Sequence, residues 1–234
     1  MPYCIVELVT QTATFRNPEF QNFHKSFLLP PPTTLMGLAG AAMGLSPKSA
    51  QDFFKDGFYF GIYGSSKGYC KDLWKYNTFD EQGSIILKEI LFDNHFILVY
   101  GNDNTDIIKI IMDAFSAPTY ALTLGNNDSL AKIIQVSISN DFTNSSELSN
   151  CLVEGNVVEE VIEKATSGLS FSIYSTSEPV AYDLPMRFQY ESDYGFRRVI
   201  ERKTFSFIGE SMQLNFAKKG IKYKNKFIPV FNLN

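Results

Sequence analysis

"HKSFLLPPPTTLMGLAGAAMGL", from His24 to Leu45, sets three prolines in front of a helix that is poor in large side chains. Each proline pushes its predecessor toward extended geometry, so no helix is expected before about Pro31. Pro32 or Thr33 then suits a first helical turn or its cap, and the helix is expected to run to about Gly44. Gly37, Gly40 and Gly44 fall at i, i+3 and i+7 and share one helix face. Each costs about 1 kcal/mol against alanine in a helix interior, so close packing is expected to offset roughly 3 kcal/mol. Two compatible readings follow. The small residues seat the helix tightly on a sheet, and they leave its N-terminus near the surface, where free N–H groups and the dipole favour a phosphate.

Working outward, "YCIVELVTQ" (Tyr3–Gln11) reads as a first strand, and the polar run up to the prolines as a functional loop. "SPKSAQDFFKDG" reads as a short helix and "FYFGIYG" as the second strand. "IILKEILFDNHFILVYG" suggests a hairpin turning at Asp93-Asn94. "TDIIKIIMDAFSAP" is a helix by its apolar spacing, with Thr105 as its cap, and "TYALTLG" is a further strand. The order β, α, β, β, α, β is the ferredoxin-like (RRM-like) pattern. Beyond Gly125 the chain turns β-rich: "LAKIIQVSIS", "RRVIERKTFSFIG" and "GIKYKNKFIPVF" read as strands and "NDFTNSSELSN" as a loop. "VVEEVIEKATS" reads as either a short helix or a strand. In the last strand Lys222, Lys224 and Lys226 are expected on one basic face. The fold class is therefore α+β, with residues 1–125 as the ferredoxin-like domain and 126–234 as a β-rich C-terminal subdomain.

The chain of 234 residues is 44% hydrophobic, enough to bury a core of one domain or two fused subdomains. Cys4, Cys70 and Cys151 are odd in number and widely spaced, which argues against a disulfide framework and a zinc site, so no cofactor or metal is expected. No signal peptide or membrane-length apolar run is read, and a cytoplasmic location is the expectation. Net charge is −4, yet from Arg187 onward ten Lys and Arg face four Asp and Glu, leaving the remainder at −10. Such asymmetry marks either an anionic partner at one end or a solvated basic surface.

Catalytic signatures are scarce. The histidines are His24 and His95, with no HxxxH, GxSxG or phosphate-loop motif. His24 with Lys25 offers a general acid/base beside a phosphate-stabilising cation, or simple surface chemistry. In "SSKGYCKDLWKYNTFDEQGS", Lys67, Lys71 and Lys75 interleave with Tyr69, Trp74 and Tyr76, combining cations for phosphates with rings for bases. The alternative there is rings on the core and lysines in water. "LGNNDSLA" (Leu124–Ala131) reads as a tight turn that can also cradle a phosphodiester, with Asn126 after its glycine.

"FRNP" at Phe15–Pro18, "SFLLPPPTTLMGLAGAAMGL" from Ser26, "LGNNDSLA" and "LPMRFQYE" from Leu184 together resemble the CRISPR-associated Cas family five. The proline run leading through threonines into a Gly/Ala-rich helix is the most specific element. The resemblance implies a type I Cascade subunit of the RAMP superfamily that grips the 5′ handle of the guide RNA (crRNA). It implies a thumb-like hairpin inserted near 65–100, with backbone and large subunits as partners and target DNA met indirectly. Around the helix start, Arg16, His24, Lys25, Ser26, Thr33 and Thr34 are the expected RNA contacts. Lys67, Lys71, Trp74, Lys75, Asn126, Arg187, Arg197 and Arg198 complete the candidate set. Members often carry arginine where this chain has Asn126, and the glycine-rich C-terminal loop of the wider superfamily is replaced by the basic strand near Lys222.

The leading expectation is thus a non-catalytic, I-B-like Cascade subunit of antiviral defence with no membrane contact. One subtype uses this family as a nuclease with a tyrosine, lysine and histidine set, and here the only lysine beside a histidine is Lys25, inside the proline motif. A metal-independent endoribonuclease using His24 or His95 is the alternative, and a scaffold without RNA contact is a third.

Overall fold

In the computed structural model, which describes residues 1–77, 83–157, 159, 174–175 and 180–233, the first strand is buried on both faces. This strand, β1 (Tyr3–Ala13), sends Cys4, Val6 and Leu8 into one core and Tyr3 and Ile5 into another, as its period of two requires. The elements that follow are β2 (Phe23–His24), α1 (Pro32–Met43), α2 (Pro47–Phe53), β3 (Tyr59–Asn77), β4 (Gly83–Gly101) and α3 (Thr105–Ser116). Next come β5 (Lys132–Ser139), β6 (Phe142–Leu148), β7 (Cys151–Glu154) and β8 (Tyr174–Ser175). The chain closes with β9 (Val180–Tyr190), β10 (Arg197–Ile208), β11 (Met212–Tyr223) and β12 (Lys226–Asn232). The fold is α+β, and among the described residues no helix is long and apolar enough to cross a membrane.

The main sheet runs β5-β1-β4-β3-β12-β11-β6, while β7 bridges β3 to β10 and β10 pairs with β9. Pairing is antiparallel except for the short β2, which lies parallel to β4 through Phe23↔Leu87 and His24↔Lys88. The helices cover the Cys4 face, where Tyr100 donates its hydroxyl to the Leu35 carbonyl at 3.1 Å. The opposite face, around Tyr3, Ile5, Ile97 and Val99, is closed by Ile221 of β11 and Ile228 of β12.

Several local expectations change. β4 runs straight through Asp93-Asn94, because Asn94 is buried and its amide donates to the carbonyls of Thr10 and Leu91. Asp93 takes φ 50 within the ladder and the pairing on both sides skips it without changing register, so turn-type residues here interrupt a strand rather than end it. The sheet position expected of "TYALTLG" is filled by β5; only Thr123 pairs there, in an isolated bridge to Leu130. "NDFTNSSELSN" carries β6 instead of a loop. The Lys222–Lys226 run is not one strand: Lys224 and Asn225 have positive φ and turn β11 into β12. α3 is capped by Asn104, whose side chain accepts from Asp106 N–H. The expectation for "VVEEVIEKATS" lies almost wholly outside the described residues.

The α1 boundaries match the proline and glycine signals: Pro32 opens it and Gly44, at φ 76, ends it in the left-handed conformation. Its glycines do not form one sheet-facing stripe. A Cβ on Gly40 would meet the Ala50 Cβ at 2.5 Å, so the close approach is to α2, whereas one on Gly37 would meet nothing within 4 Å.

The β11–β12 turn is tied to the sheet by Glu7. This carboxylate accepts from His95 Nε2 at 2.9 Å, from the Tyr223 hydroxyl at 3.1 Å and from Lys224 Nζ. Burial alone would raise its pKa, but the hydrogen bonds from Lys224, His95 and Tyr223 hold it below the ordinary carboxylate value. A depressed folded-state pKa means that the contribution is fully present above about pH 4.3 and is lost as pH falls through the lower folded value.

Glu7→Gln is expected to cost about 1–3 kcal/mol in urea unfolding at pH 7 and to flatten the acid-side loss of stability that the parent shows below about pH 4. An unchanged acid limb would show that Glu7 is not the clamp. In the same assay, Gly37→Ala is expected to stabilise by up to about 1 kcal/mol from helix propensity. Gly40→Ala is expected to destabilise by about 1–3 kcal/mol from overpacking against Ala50; equal effects would refute the separate packing roles.

Candidate nucleic-acid interface

The polar loop after β1 folds back on itself as a short ladder. Phe27 N–H donates to the Phe15 carbonyl at 2.7 Å, Asn17 N–H donates to the Lys25 carbonyl at 2.8 Å, and Arg16 bridges Ser26. The ladder presses Phe15 and Phe27 into the core and leaves Arg16 exposed at its edge. Pro31 caps α1 without a side-chain hydrogen bond, so the Thr33 N–H in the first turn has no carbonyl partner within the helix. Gly125 fixes the third wall. Its φ is 102 and an added Cβ would lie 1.9 Å from the Thr14 carbonyl oxygen, a position that only glycine can occupy.

Between these walls lies a groove of about 760 Å³. Arg16, Lys88, Arg197 and Arg202 supply its cations, His24 an imidazole that becomes a cation only on protonation, and Thr33 and Thr34 its hydroxyls at the α1 N-terminus. Phe188 forms an apolar wall and is held by Gln51 of α2, which accepts from its N–H at 2.7 Å and donates to its carbonyl at 2.9 Å. The charges are felt within the groove. The His24 pKa is lowered by burial and then by Arg16 and Lys88. That of Lys88 is lowered by burial, with Asp128 opposing and Arg16 adding to the shift. A concentration of like charge, with no carboxylate among the described lining residues, favours an anionic guest.

Five of the expected contacts, Arg16, His24, Thr33, Thr34 and Arg197, line this groove together. Asn126 and Trp74 reach it through Lys88, whose ammonium donates to Asn126 Oδ1 and lies 4.3 Å from the Trp74 ring centroid. Others stand apart. Ser26 is buried, and its hydroxyl accepts from Phe15 N–H at 2.9 Å and donates to the Phe27 carbonyl, so it builds the loop instead of facing the groove. Lys25 turns back over the Phe20 ring at 5.1 Å. Lys67 pairs with Asp93 at 2.9 Å, Lys71 lies 5.3 Å from the Phe23 ring, and Lys75 is exposed farther along β3. Strand alternation separates the three lysines from Trp74, which therefore do not form one face. Arg187 lies 3.8 Å from Glu201, and Arg198 donates twice to Gln189 Oε1, both outside the groove.

Lys88, Arg202, Phe188 and Gly125 were not singled out as contacts from the sequence. Only the short parallel pairing of β2 with β4 shows that Lys88 stands beside His24, although a lone lysine in "IILKEIL" is the available signal. His95 opens on a second groove of about 540 Å³ with Lys67 and Lys132, and it is the Glu7 clamp that holds it there. Among the described residues no group of His, Cys, Asp and Glu could hold a metal ion.

A family model described as CRISPR-associated protein (Cas_Cas5) matches residues 4–200. No curated protein matches the sequence. A chain of a CRISPR RNA-guided surveillance complex shares the fold at TM-score 0.53 and 14% identity, over 89% of this chain and 90% of that one. A CRISPR protein from Archaeoglobus fulgidus aligns over 99% of both chains at TM-score 0.49 and 10% identity. A further Cas protein aligns at TM-score 0.38 and 14% identity over 54% of this chain, which spans only 58% of that protein's length. With the family model covering well over half of its residues, the chain belongs to the CRISPR-associated Cas5 family.

Proposed function

We propose that this chain is a non-catalytic subunit of a type I, I-B-like Cascade complex that binds the 5′ handle of crRNA and caps the assembly in antiviral defence. The observation that carries this reading is the groove at the uncapped start of α1, where Arg16, His24, Lys88, Arg197 and Arg202 surround two threonine hydroxyls. Phosphates of a single strand fit that chemistry: guanidinium and ammonium groups neutralise them, and a helix N-terminus donates to them. Backbone and large subunits are the protein partners in this reading, and target DNA is met through the guide.

The order β5-β1-β4-β3 supports a ferredoxin-like sheet in this reading, with the distal half of the β3–β4 hairpin as the thumb. Because β5 supplies its outer strand, we place the boundary of that domain after Ser139 rather than after Gly125. A metal-independent endoribonuclease is the second reading, and one observation favours it: His95, Tyr223 and Lys224 meet around Glu7 beside an open groove. Glu7 engages all three groups at once, which suits a clamp better than a base and acid free to exchange protons.

Titrating salt against binding of labelled repeat RNA in EDTA separates the readings. Each lost phosphate contact on a single strand lowers the slope of log affinity against log salt by about 0.7, so Arg16→Ala with Lys88→Ala is expected to lower it by about 1.4. An unchanged slope, or RNA cleavage abolished by His95→Ala, would overturn the handle-binding assignment. Because the His24 pKa is depressed in the free chain and a bound phosphate raises it, RNA affinity is expected to rise as pH falls from 8 to 5.5. His24→Gln removes that dependence if His24 faces the phosphate; its persistence would place the titrating group elsewhere.

A further inference from the structure

The β9–β10 hairpin ends in a loop, Glu191–Phe196, whose Tyr194 and Phe196 are 77% and 85% exposed. No other large apolar side chain among the described residues is as bare. At the base of that loop a cavity of about 450 Å³ is bounded by Tyr190, Glu191, Phe196 and the guanidinium groups of Arg197 and Arg198. Arg198 is held flat by two hydrogen bonds to Gln189 Oε1, at 2.8 and 2.6 Å. Arg197 stacks 4.5 Å from the centroid of Phe188, and that ring meets Tyr190 edge-on at 6.1 Å. Neither guanidinium has a carboxylate within ion-pair distance among the described residues; Glu191, on the cavity wall, is the nearby acid.

Arg197 borders this cavity and the α1 groove alike, so the two are neighbours along one strand. We propose that the β9–β10 tip is a base-stacking platform for unpaired nucleotides of the same RNA strand whose phosphates occupy the α1 groove. Phe196 and Tyr190 offer ring faces to bases, and Arg197 and Arg198 neutralise the phosphates between them. Flat rings beside planar cations that no carboxylate ion-pairs among the described residues suit single-stranded nucleic acid, since every base has a stacking face and the intervening backbone is anionic. The inference rests on the handle-binding reading, which it extends from the phosphates to the bases.

The test uses the full chain and two synthetic single-stranded RNAs, a short one and the same sequence lengthened by four nucleotides, with 2-aminopurine placed in turn at each added position. Tighter binding of the longer RNA is expected, with quenched fluorescence at one or more added positions. Phe196→Ala is expected to weaken the longer RNA by about 5- to 150-fold, the loss of one base–aromatic stack, and to relieve the quenching. It leaves the short RNA and the salt slope unchanged, and Phe196→Trp restores both readouts. Equal affinity of parent and Phe196→Ala for the longer RNA, with the Arg16→Ala and Lys88→Ala variant still defective, overturns the platform while leaving the groove reading intact. Loss of binding to partner subunits alone would assign the tip to a protein contact and also overturn it.

Discussion

The ladder along β4 is the constraint on which the rest of the molecule depends. All of its residues from Gly83 to Gly101 except Asp93 pair with β3 along one edge, while β1 and then β2 occupy the other. Although the strand swaps faces across Asp93, where Leu91 and Phe96, five residues apart, both reach the helix-side core, the pairing passes that residue without a change of register. Lys88 therefore stands beside His24, and Trp74 comes over Lys88. A one-residue slip would send Lys88 to the opposite face and empty the groove of its central cation.

The groove collects charge that the fold alone does not need. The lowered pKa values of His24 and Lys88 follow from burial and from neighbouring positive charge, which disfavours protonation of His24 while Lys88 stays the cation of the two. Glycine at 125, the Gln51 brace on Phe188 and the buried Ser26 contacts fix the walls, so the groove's donors are already in place. The opposite face of the sheet is organised differently. There Glu7 absorbs nearby donors and pins the C-terminal turn, a structural use of the same residue types that elsewhere would suggest acid–base chemistry.

Legibility followed the range of the interactions. Proline and glycine act within a few residues, so the limits of α1 could be read directly, whereas Thr33, open as a cap in the sequence, lies inside the first turn behind Pro31. Asp93-Asn94 carries turn chemistry but lies in a strand because buried partners from β1 and β3 satisfy it, an outcome no local rule contains. The interleaved lysines and rings of β3 suggest one surface in composition, yet a period of two sets Trp74 on the face opposite Lys67, Tyr69, Lys71 and Lys75.

The sequence by itself determined the first strand, the proline-led helix, the basic stretch from Arg187 onward and the resemblance carried by its four motifs, since these rest on local backbone preference and residue chemistry. Which cations share a groove was decided only by the tertiary structure. Arg16, Lys88 and Arg202 are far apart in the chain, and it is sheet register and loop packing, set by burial over the whole core, that bring them to one place.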